Sequence, residues 1–188
     1  MISNVEINKQ ARLSEHFTLA EMCKTSVKTA DGNIPSRVHI ENLKRLCGWL
    51  ERLREEYNWR YGGLTREGQS PSAPQATHSW DSSLFESVAL QSCVSEEPII
   101  INSGYRSPQV NKAVGGAATS NHLTGCAADI RCYGIEQALR YAVILLDISD
   151  ESKEPFDELL IEKSAKSIWV HFAVRPEGNR RRVAILRV

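Results

Sequence analysis

The sequence lacks several features that mark large classes of protein. Lys plus Arg and Asp plus Glu are equal at 23 each, so the chain has neither the basic field of nucleic-acid-binding proteins nor an acidic tail. No run approaches the ~18 apolar residues that a membrane-spanning helix needs, and no basic segment followed by an apolar one opens the chain. We therefore expect a protein that is cytoplasmic as synthesised, binds no nucleic acid and inserts into no membrane.

Cysteine is scarce and poorly arranged for cross-linking. The five cysteines make an odd count, and none lies in a CxxC pair. This argues against a disulfide framework and against a Cys-rich zinc site, and it fits a reducing compartment. Cys126 and Cys132 flank a candidate metal-binding strand, but we interpret them as small buried side chains rather than ligands.

The length and composition indicate one globular domain. The 188 residues suit a single core, and 41% hydrophobic with 24% charged residues is ordinary for such a protein. Residues 60–97 differ from the rest, because glycine, proline and polar residues replace any clear periodicity; we predict a flexible insertion there. Its Trp80 and His78 either contact substrate or simply pin the loop to the surface. We expect a monomer.

Helical patterns come early in the chain and strand patterns later. Thr18 and Glu21 form a capping box for a short helix, and a long helix begins near Pro35 and should end near Tyr57. Apolar spacing predicts another helix over 135–146 with Leu139 facing inward. Short strands are predicted at 98–102, 127–130, 156–162, 167–174 and 182–188. The sequence thus predicts an α+β fold in which N-terminal helices pack on a small antiparallel sheet.

A histidine and an aspartate, His122 and Asp129, lie on either side of Gly125. Their separation does not place both on one helical face, but a chain that turns at Gly125 brings a loop imidazole and a strand carboxylate together. A catalytic zinc ion takes three nitrogen or oxygen ligands from the protein and keeps one position open. Two of the three ligands are therefore available here.

His171 is the candidate for the third ligand. Alternation along its apolar strand places it on the same side as Trp169 and Ala173. A histidine in such a strand is commonly a core residue. The other histidines, however, belong to the N-terminal helical part or to the insertion: His16, His39 and His78. By elimination, His171 best completes the set.

Two further residues are candidates for the chemistry. A zinc-bound water that attacks a substrate needs a carboxylate that removes its proton, and Glu162 precedes the hairpin that returns to His171. Glu158 and Asp157, near the start of the same strand, are weaker candidates. Arg106 follows a buried strand, from which its guanidinium either holds a substrate carboxylate or developing oxyanion, or pairs with a structural acid.

These segments together resemble the zinc D-alanyl-D-alanine carboxypeptidase family, which includes phage L-alanyl-D-glutamate endopeptidases and has the hedgehog signalling domain as a structural relative. The pattern SxHxxGxAxD is matched by Ser120, His122, Gly125, Ala127 and Asp129. The segments 103–107 and 13–18 are similar to the phage and prophage branch. Trp169 and Ile168 stand where many relatives carry a second histidine and an acid.

The resemblance implies a complete site. His122, Asp129 and His171 would be the Zn²⁺ ligands, Glu162 the general base, and Arg106 with Ser120 the substrate contacts. The substrate would be the stem peptide of peptidoglycan, cut by a carboxypeptidase or an endopeptidase reaction. Such an endolysin-like protein would reach the cell wall after release by lysis or by another export route.

Two other functions stay open from the sequence alone. A zinc domain with this fold could bind wall peptide or a phage structural partner without turnover, because a fold does not fix a function. The run Arg180, Arg181 and Arg182 could contact phosphate or an anionic wall polymer, although a charged turn that leads into an edge strand explains it better. The neutral composition gives nucleic-acid binding little support.

Overall fold

The computed structural model of the protein describes residues 8, 10–61 and 96–188. The predicted insertion at 60–97, with Trp80 and His78, lies largely outside the described residues. The described helices and strands have these bounds: α1 Leu19–Met22, α2 Arg37–Tyr61, β1 Ile101–Ser103, α3 Pro108–Ala113, β2 Ala127–Cys132, α4 Ile135–Ser152, β3 Glu158–Lys163, β4 Ile168–Ala173 and β5 Arg182–Arg187, with a 3₁₀ turn at Asn121–Thr124.

The five strands form one mixed sheet in the order β1-β2-β4-β3-β5. Three neighbouring pairs are antiparallel, but β5 runs parallel to β3. The prediction of an antiparallel sheet was therefore wrong at this edge. Both sides of β4 are already occupied, by β2 and β3, so β5 cannot pair with the strand that precedes it and instead adds to the outer side of β3. The chain reverses direction between β4 and β5, and β5 therefore runs in the same direction as β3.

The predicted order of elements was also only partly right. The fold is α+β, but helices are not confined to the N-terminal part, because α3 lies between β1 and β2 and α4 between β2 and β3. Helix α2 continues one turn beyond the predicted end, to Tyr61, and its last turn is held by an ion pair from Arg60 Nη1 to Asp147 Oδ2 of α4 at 2.6 Å. No described helix combines the length and apolar character that a bilayer crossing requires.

Local sequence signals set the starts of the short helices. The hydroxyl of Thr18 accepts a hydrogen bond from the Glu21 amide at 3.2 Å, which caps α1 as predicted. Ser107 accepts from the Val110 amide, and Pro108 occupies the first turn of α3, where its missing N–H costs nothing.

The core lies on one face of the sheet, under α2 and α4. Strand residues that point to this face are buried, as are the inward residues of both helices. The largest fully buried side chains include Phe172, Phe156, Tyr141, Leu43, Leu46, Leu50, Leu53, Ile130, Ile144 and Leu145. Leu139, which was predicted to face inward, is 45% exposed, because Tyr141, Ile144 and Ile148 form the buried side of α4 instead.

The opposite face of the sheet carries the polar residues. Directly opposed residues of neighbouring strands lie on the same face. One row therefore joins Asp129, His171 and Leu160, and the next joins Arg131, Trp169 and Glu162. The strands thus separate an apolar packing face from a face that is free to hold reactive groups.

A matched pair of substitutions tests this assignment of the core. Leu53→Ala removes a fully buried side chain and should lower the free energy of unfolding by about 2–5 kcal/mol, because both transfer energy and packing are lost. Leu139→Ala makes the same chemical change on the exposed side of α4 and should change it by less than about 0.5 kcal/mol. Urea denaturation followed by circular dichroism measures both; equal losses would contradict the described core.

Candidate metal centre and active site

Three side chains, from the 3₁₀ turn, β2 and β4, meet on the polar face of the sheet. His122 Nε2 lies 3.2 Å from Asp129 Oδ1 and 3.2 Å from His171 Nδ1, and His171 Nδ1 lies 2.9 Å from Asp129 Oδ1. All three residues are buried, between 2% and 8% exposed. The structure therefore brings together the three residues that the sequence marked as ligands, in a group that could hold a metal ion.

The chemistry of this group fits zinc. Three atoms with lone pairs face one another, and such atoms repel unless a proton or a cation lies between them. Ligand atoms at the usual zinc bond lengths around a tetrahedral ion lie roughly 3.3 Å apart, close to the separations seen here. Two imidazoles and one carboxylate leave one tetrahedral position for a non-protein ligand, which is the donor set of a catalytic site. Cys126 and Cys132 are buried but do not belong to the group.

His122 is positioned by the 3₁₀ turn and by the loop that follows β1. Ser120 caps the turn by accepting from the His122 amide at 3.3 Å, and the turn ends at Gly125 in the left-handed conformation, with φ +72°. A Cβ atom on Gly125 would lie 2.7 Å from the His39 carbonyl oxygen, so only glycine fits. The His122 ring donates from Nδ1 to the Gly104 carbonyl oxygen at 2.6 Å. Nε2 therefore keeps its lone pair for a metal.

Asp129 uses its two oxygens for different partners. Oδ1 faces the two histidines, while Oδ2 accepts a hydrogen bond from Arg106 Nη2. Burial would raise the pKa of this carboxyl, but the charge and hydrogen bonds of His122 and His171 outweigh it and hold the pKa well below its usual range. Arg106, in turn, is oriented by a hydrogen bond from its Nε to Ser103 Oγ at 2.7 Å. Of the two roles that the sequence allows for Arg106, the structure shows the pairing with an acid, and that acid is the candidate metal ligand Asp129.

His171 is held from its other side by Glu158. The Nε2 atom of His171 lies 3.6 Å from Glu158 Oε2, while Nδ1 faces the ligand group. Burial would lower the pKa of His171, but Asp129 and Glu158 outweigh it and raise the pKa to about 9. His171 and Arg182 lower the pKa of Glu158 to about 2. Glu158 therefore stays ionised and orients the ring, as carboxylates commonly do for metal-bound histidines.

A buried ionic network supports this side of the site. Asn121, next to His122, donates to Asp157 Oδ2 at 2.7 Å and to Glu158 Oε2 at 3.0 Å. Asp157 is fully buried and also accepts from Arg180, through Nε and Nη2, both at 2.8 Å. Arg175 Nε donates to Asn121 Oδ1 at 2.9 Å. Arg181 pairs with Asp150 and Arg182 with Glu158, so all three arginines of the predicted charged turn are engaged within the protein.

The sequence favours Glu162 over Asp157 and Glu158 and carries no local signal for Asn121 or Arg175. Alternation along β3 was the available signal, since it puts Glu158 on the same face as Glu162. The network itself joins residues from 121 to 180, so no local pattern could reveal it. These residues form hydrogen bonds and ion pairs with one another across distant segments, and a local motif does not record such pairings.

Glu162 lies on the polar face, one row from the ligands. It is half-buried and directly opposite Trp169, while Leu160 is the residue opposite His171. Its charge also acts on His171 and contributes to the raised pKa of that ring. Within the described ranges, no hydrogen bond or ion pair engages its carboxylate, whereas Glu158 is held by Asn121, Arg180 and Arg182.

Removal of single ligands tests the metal centre. We expect the wild-type chain to bind one zinc ion, and His122→Ala, Asp129→Asn or His171→Ala each to weaken binding by more than the roughly 10–100-fold typical of residues that only orient a ligand. His16→Ala is the matched control, since His16 is exposed and contacts Glu51 at 2.7 Å. Competition with a chromophoric chelator gives the affinities. Equal zinc binding by all four variants would exclude this site.

Glu158→Gln tests the orienting carboxylate separately. The amide keeps the size of the side chain but loses its charge toward His171, so zinc affinity should fall by about 10–100-fold. The same chelator competition measures it, with Glu162→Gln as the comparison, because the Glu162 carboxylate does not touch the ligands directly and its loss should leave zinc affinity nearly unchanged. The reverse order of effects would assign the orienting role to Glu162.

The chain is similar to known peptidases. A family profile described as Peptidase M15 matches residues 76–170, about half of the chain. The matched range contains His122, Asp129 and Glu162 and ends one residue before His171. A zinc D-Ala-D-Ala carboxypeptidase from Streptomyces albus G is 33% identical over 78 residues, which are 39% of this chain and 31% of that protein. The chain thus spans about a third of the length of this curated relative.

The family and the relative both support zinc as the cofactor of the His122, Asp129 and His171 group. They also support the broader assignment of a zinc metallopeptidase. With its ligand geometry and a profile match over half of its residues, the chain belongs to the Peptidase M15 family.

Proposed function

We propose that this protein hydrolyses peptide bonds in the stem peptide of peptidoglycan, as a D-Ala-D-Ala carboxypeptidase or an L-Ala-D-Glu endopeptidase. The observation that carries the proposal is a complete ligand group beside a carboxylate with no partner in the described part of the chain, both on one face of the sheet. The printed name of the curated relative supports the substrate class. When bound, zinc supplies Lewis acidity and lowers the pKa of a coordinated water.

Glu162 is the proposed general base. A base must reach the proton that it removes and must have a free lone pair. Glu162 and His171 are diagonal neighbours on adjacent strands, with Cβ atoms about 7 Å apart in such pairs, so the carboxylate can extend over the open side of the ligand group. Glu158 is the poorer candidate, since Asn121, Arg180 and Arg182 occupy its oxygens.

Arg106 and Ser120 are proposed to contact the substrate in addition to their roles in the fold. A guanidinium has five N–H donors, and Asp129 and Ser103 take only two of those of Arg106. Its other donors are available for a carbonyl oxygen on which negative charge develops. The Ser120 hydroxyl accepts from the His122 amide and still has its own proton to donate.

Glu162→Gln tests the proposed reaction. The substitution removes the base while it keeps the size and polarity of the side chain, so hydrolysis should fall by about 100- to 10,000-fold. Zinc-loaded protein is incubated with purified peptidoglycan, and mass spectrometry of the released muropeptides identifies the new ends. Glu177→Gln, an exposed acid on the loop between β4 and β5, is the matched control and should keep full activity.

The result also separates the enzyme from the binding module. If wild-type protein binds peptidoglycan but releases neither new amino termini nor free D-alanine, the chain is a wall-binding zinc domain and the proposed reaction is wrong. If Glu162→Gln retains the wild-type rate, the enzyme assignment stands but the base is another group.

A further inference from the structure

The row beside the ligand group has an unusual composition. Arg131, Trp169 and Glu162 lie directly opposite one another on β2, β4 and β3. They share the face of Asp129 and His171, and each lies two residues from the ligand row on its own strand, a distance of about 7 Å. We call these three residues the site row.

Arg131 differs from the other arginines around the site. Arg106 is bound to Asp129, and Arg175, Arg180 and Arg182 are bound to Asp157 or Glu158. Arg131 is exposed, and no hydrogen bond or ion pair to its guanidinium exists within residues 10–61 and 96–188. Asp129, Asp157 and Glu158 are already paired with these other arginines. The positive charge of Arg131 is therefore available to a ligand.

Trp169 keeps the two charges of the site row apart. Strands are about 4.8 Å apart, so Arg131 and Glu162 are separated by roughly 10 Å with the indole between them. They form no ion pair. The Trp169 Nε1 atom is itself buried and has no acceptor among the described residues, an arrangement that costs free energy until an acceptor arrives. The site row thus has a cation at one end, a carboxylate at the other and an indole N–H between them, none of which has a hydrogen-bond partner among the described residues.

We propose that Arg131 determines specificity by binding a free carboxylate of the substrate, one or two residues away from the scissile bond. The guanidinium matches a carboxylate through paired hydrogen bonds, and its distance from the ligand group corresponds to about one or two residues of an extended peptide. This inference rests on the proposed function, because it places the scissile bond at the ligand group. The carboxylate is either the C-terminal one or the α-carboxylate of the γ-linked D-glutamate.

The test crosses two forms of the protein with three peptides. L-alanyl-γ-D-glutamyl-L-lysyl-D-alanyl-D-alanine is used as the free acid, as the C-terminal amide, and with the glutamate α-carboxylate converted to an amide. Binding to zinc-loaded Glu162→Gln protein, in which turnover is suppressed, is measured by calorimetry with and without Arg131→Gln. Hydrolysis is followed in parallel with Glu162 intact.

Arg131→Gln should weaken binding of the free acid by about tenfold, because the charge-assisted hydrogen bonds to the carboxylate are lost. The effect is no larger because water screens an exposed charged pair. One of the two amidated peptides lacks the carboxylate that Arg131 recognises, and Arg131→Gln should not weaken the binding of that peptide. The peptide that is unaffected therefore identifies which carboxylate is bound. In hydrolysis the loss should fall on KM, with kcat nearly unchanged. Arg187→Gln, an exposed arginine on the opposite face of the sheet, is the control and should change neither.

Each outcome decides the matter. If wild-type Arg131 protein binds all three peptides equally, or if Arg131→Gln weakens binding of all three alike, the inference is overturned. If the carboxylate preference depends on Arg131 but no peptide is cleaved, the inference stands as a binding property and the proposed reaction fails. Cleavage without any such preference keeps the proposed function and rejects the role of Arg131.

Discussion

The site depends on one electrostatic constraint: two imidazole nitrogens and a carboxylate oxygen lie within 3.2 Å of one another in a buried position. Without a shared proton or metal ion between them, the lone pairs of these atoms would repel one another. The surrounding residues make the arrangement possible by fixing each group from behind. The Gly104 carbonyl holds His122, Arg106 holds Asp129, and Glu158 holds His171. The remaining lone pairs are thereby aimed at a single point.

The groups that fix the ligands must themselves be held in place by the backbone around them. A Cβ atom on Gly104 would collide with the Met22 carbonyl oxygen, so the strand exit can approach α1 closely only with glycine there. Asn33 strengthens the same junction, because it donates to the Tyr105 carbonyl and accepts from the Ser107 amide. These contacts hold the segment that presents both the Gly104 carbonyl and Arg106. Residues far from the ligands in sequence therefore determine where the ligands stand.

The parts of this design that follow a local rule could be predicted from the sequence. Alternation placed His171 with Trp169, and the glycine between His122 and Asp129 indicated the turn that brings them together. The remaining parts depend on pairings between distant segments. The sequence does not state that Lys163 pairs with Ile168, yet that register decides that Leu160, and not Glu162, lies opposite His171. The parallel addition of β5 and the burial of Asp157 among Asn121, Arg175 and Arg180 likewise arise only when the whole sheet has formed.

Two opposite charges on the polar face, those of Glu162 and Arg131, lie in one row of the sheet without pairing. A free acid and a free arginine at neighbouring positions would normally pair and neutralise each other. Here a strand lies between them, and its residue at that row is a large indole, so Glu162 and Arg131 stay apart. The other arginines around the site have their own acids, which prevents them from competing for Glu162. Pairing with a cation lowers the proton affinity of a carboxylate. Both the ion pairs of the other arginines and the distance between Arg131 and Glu162 therefore keep Glu162 able to accept a proton.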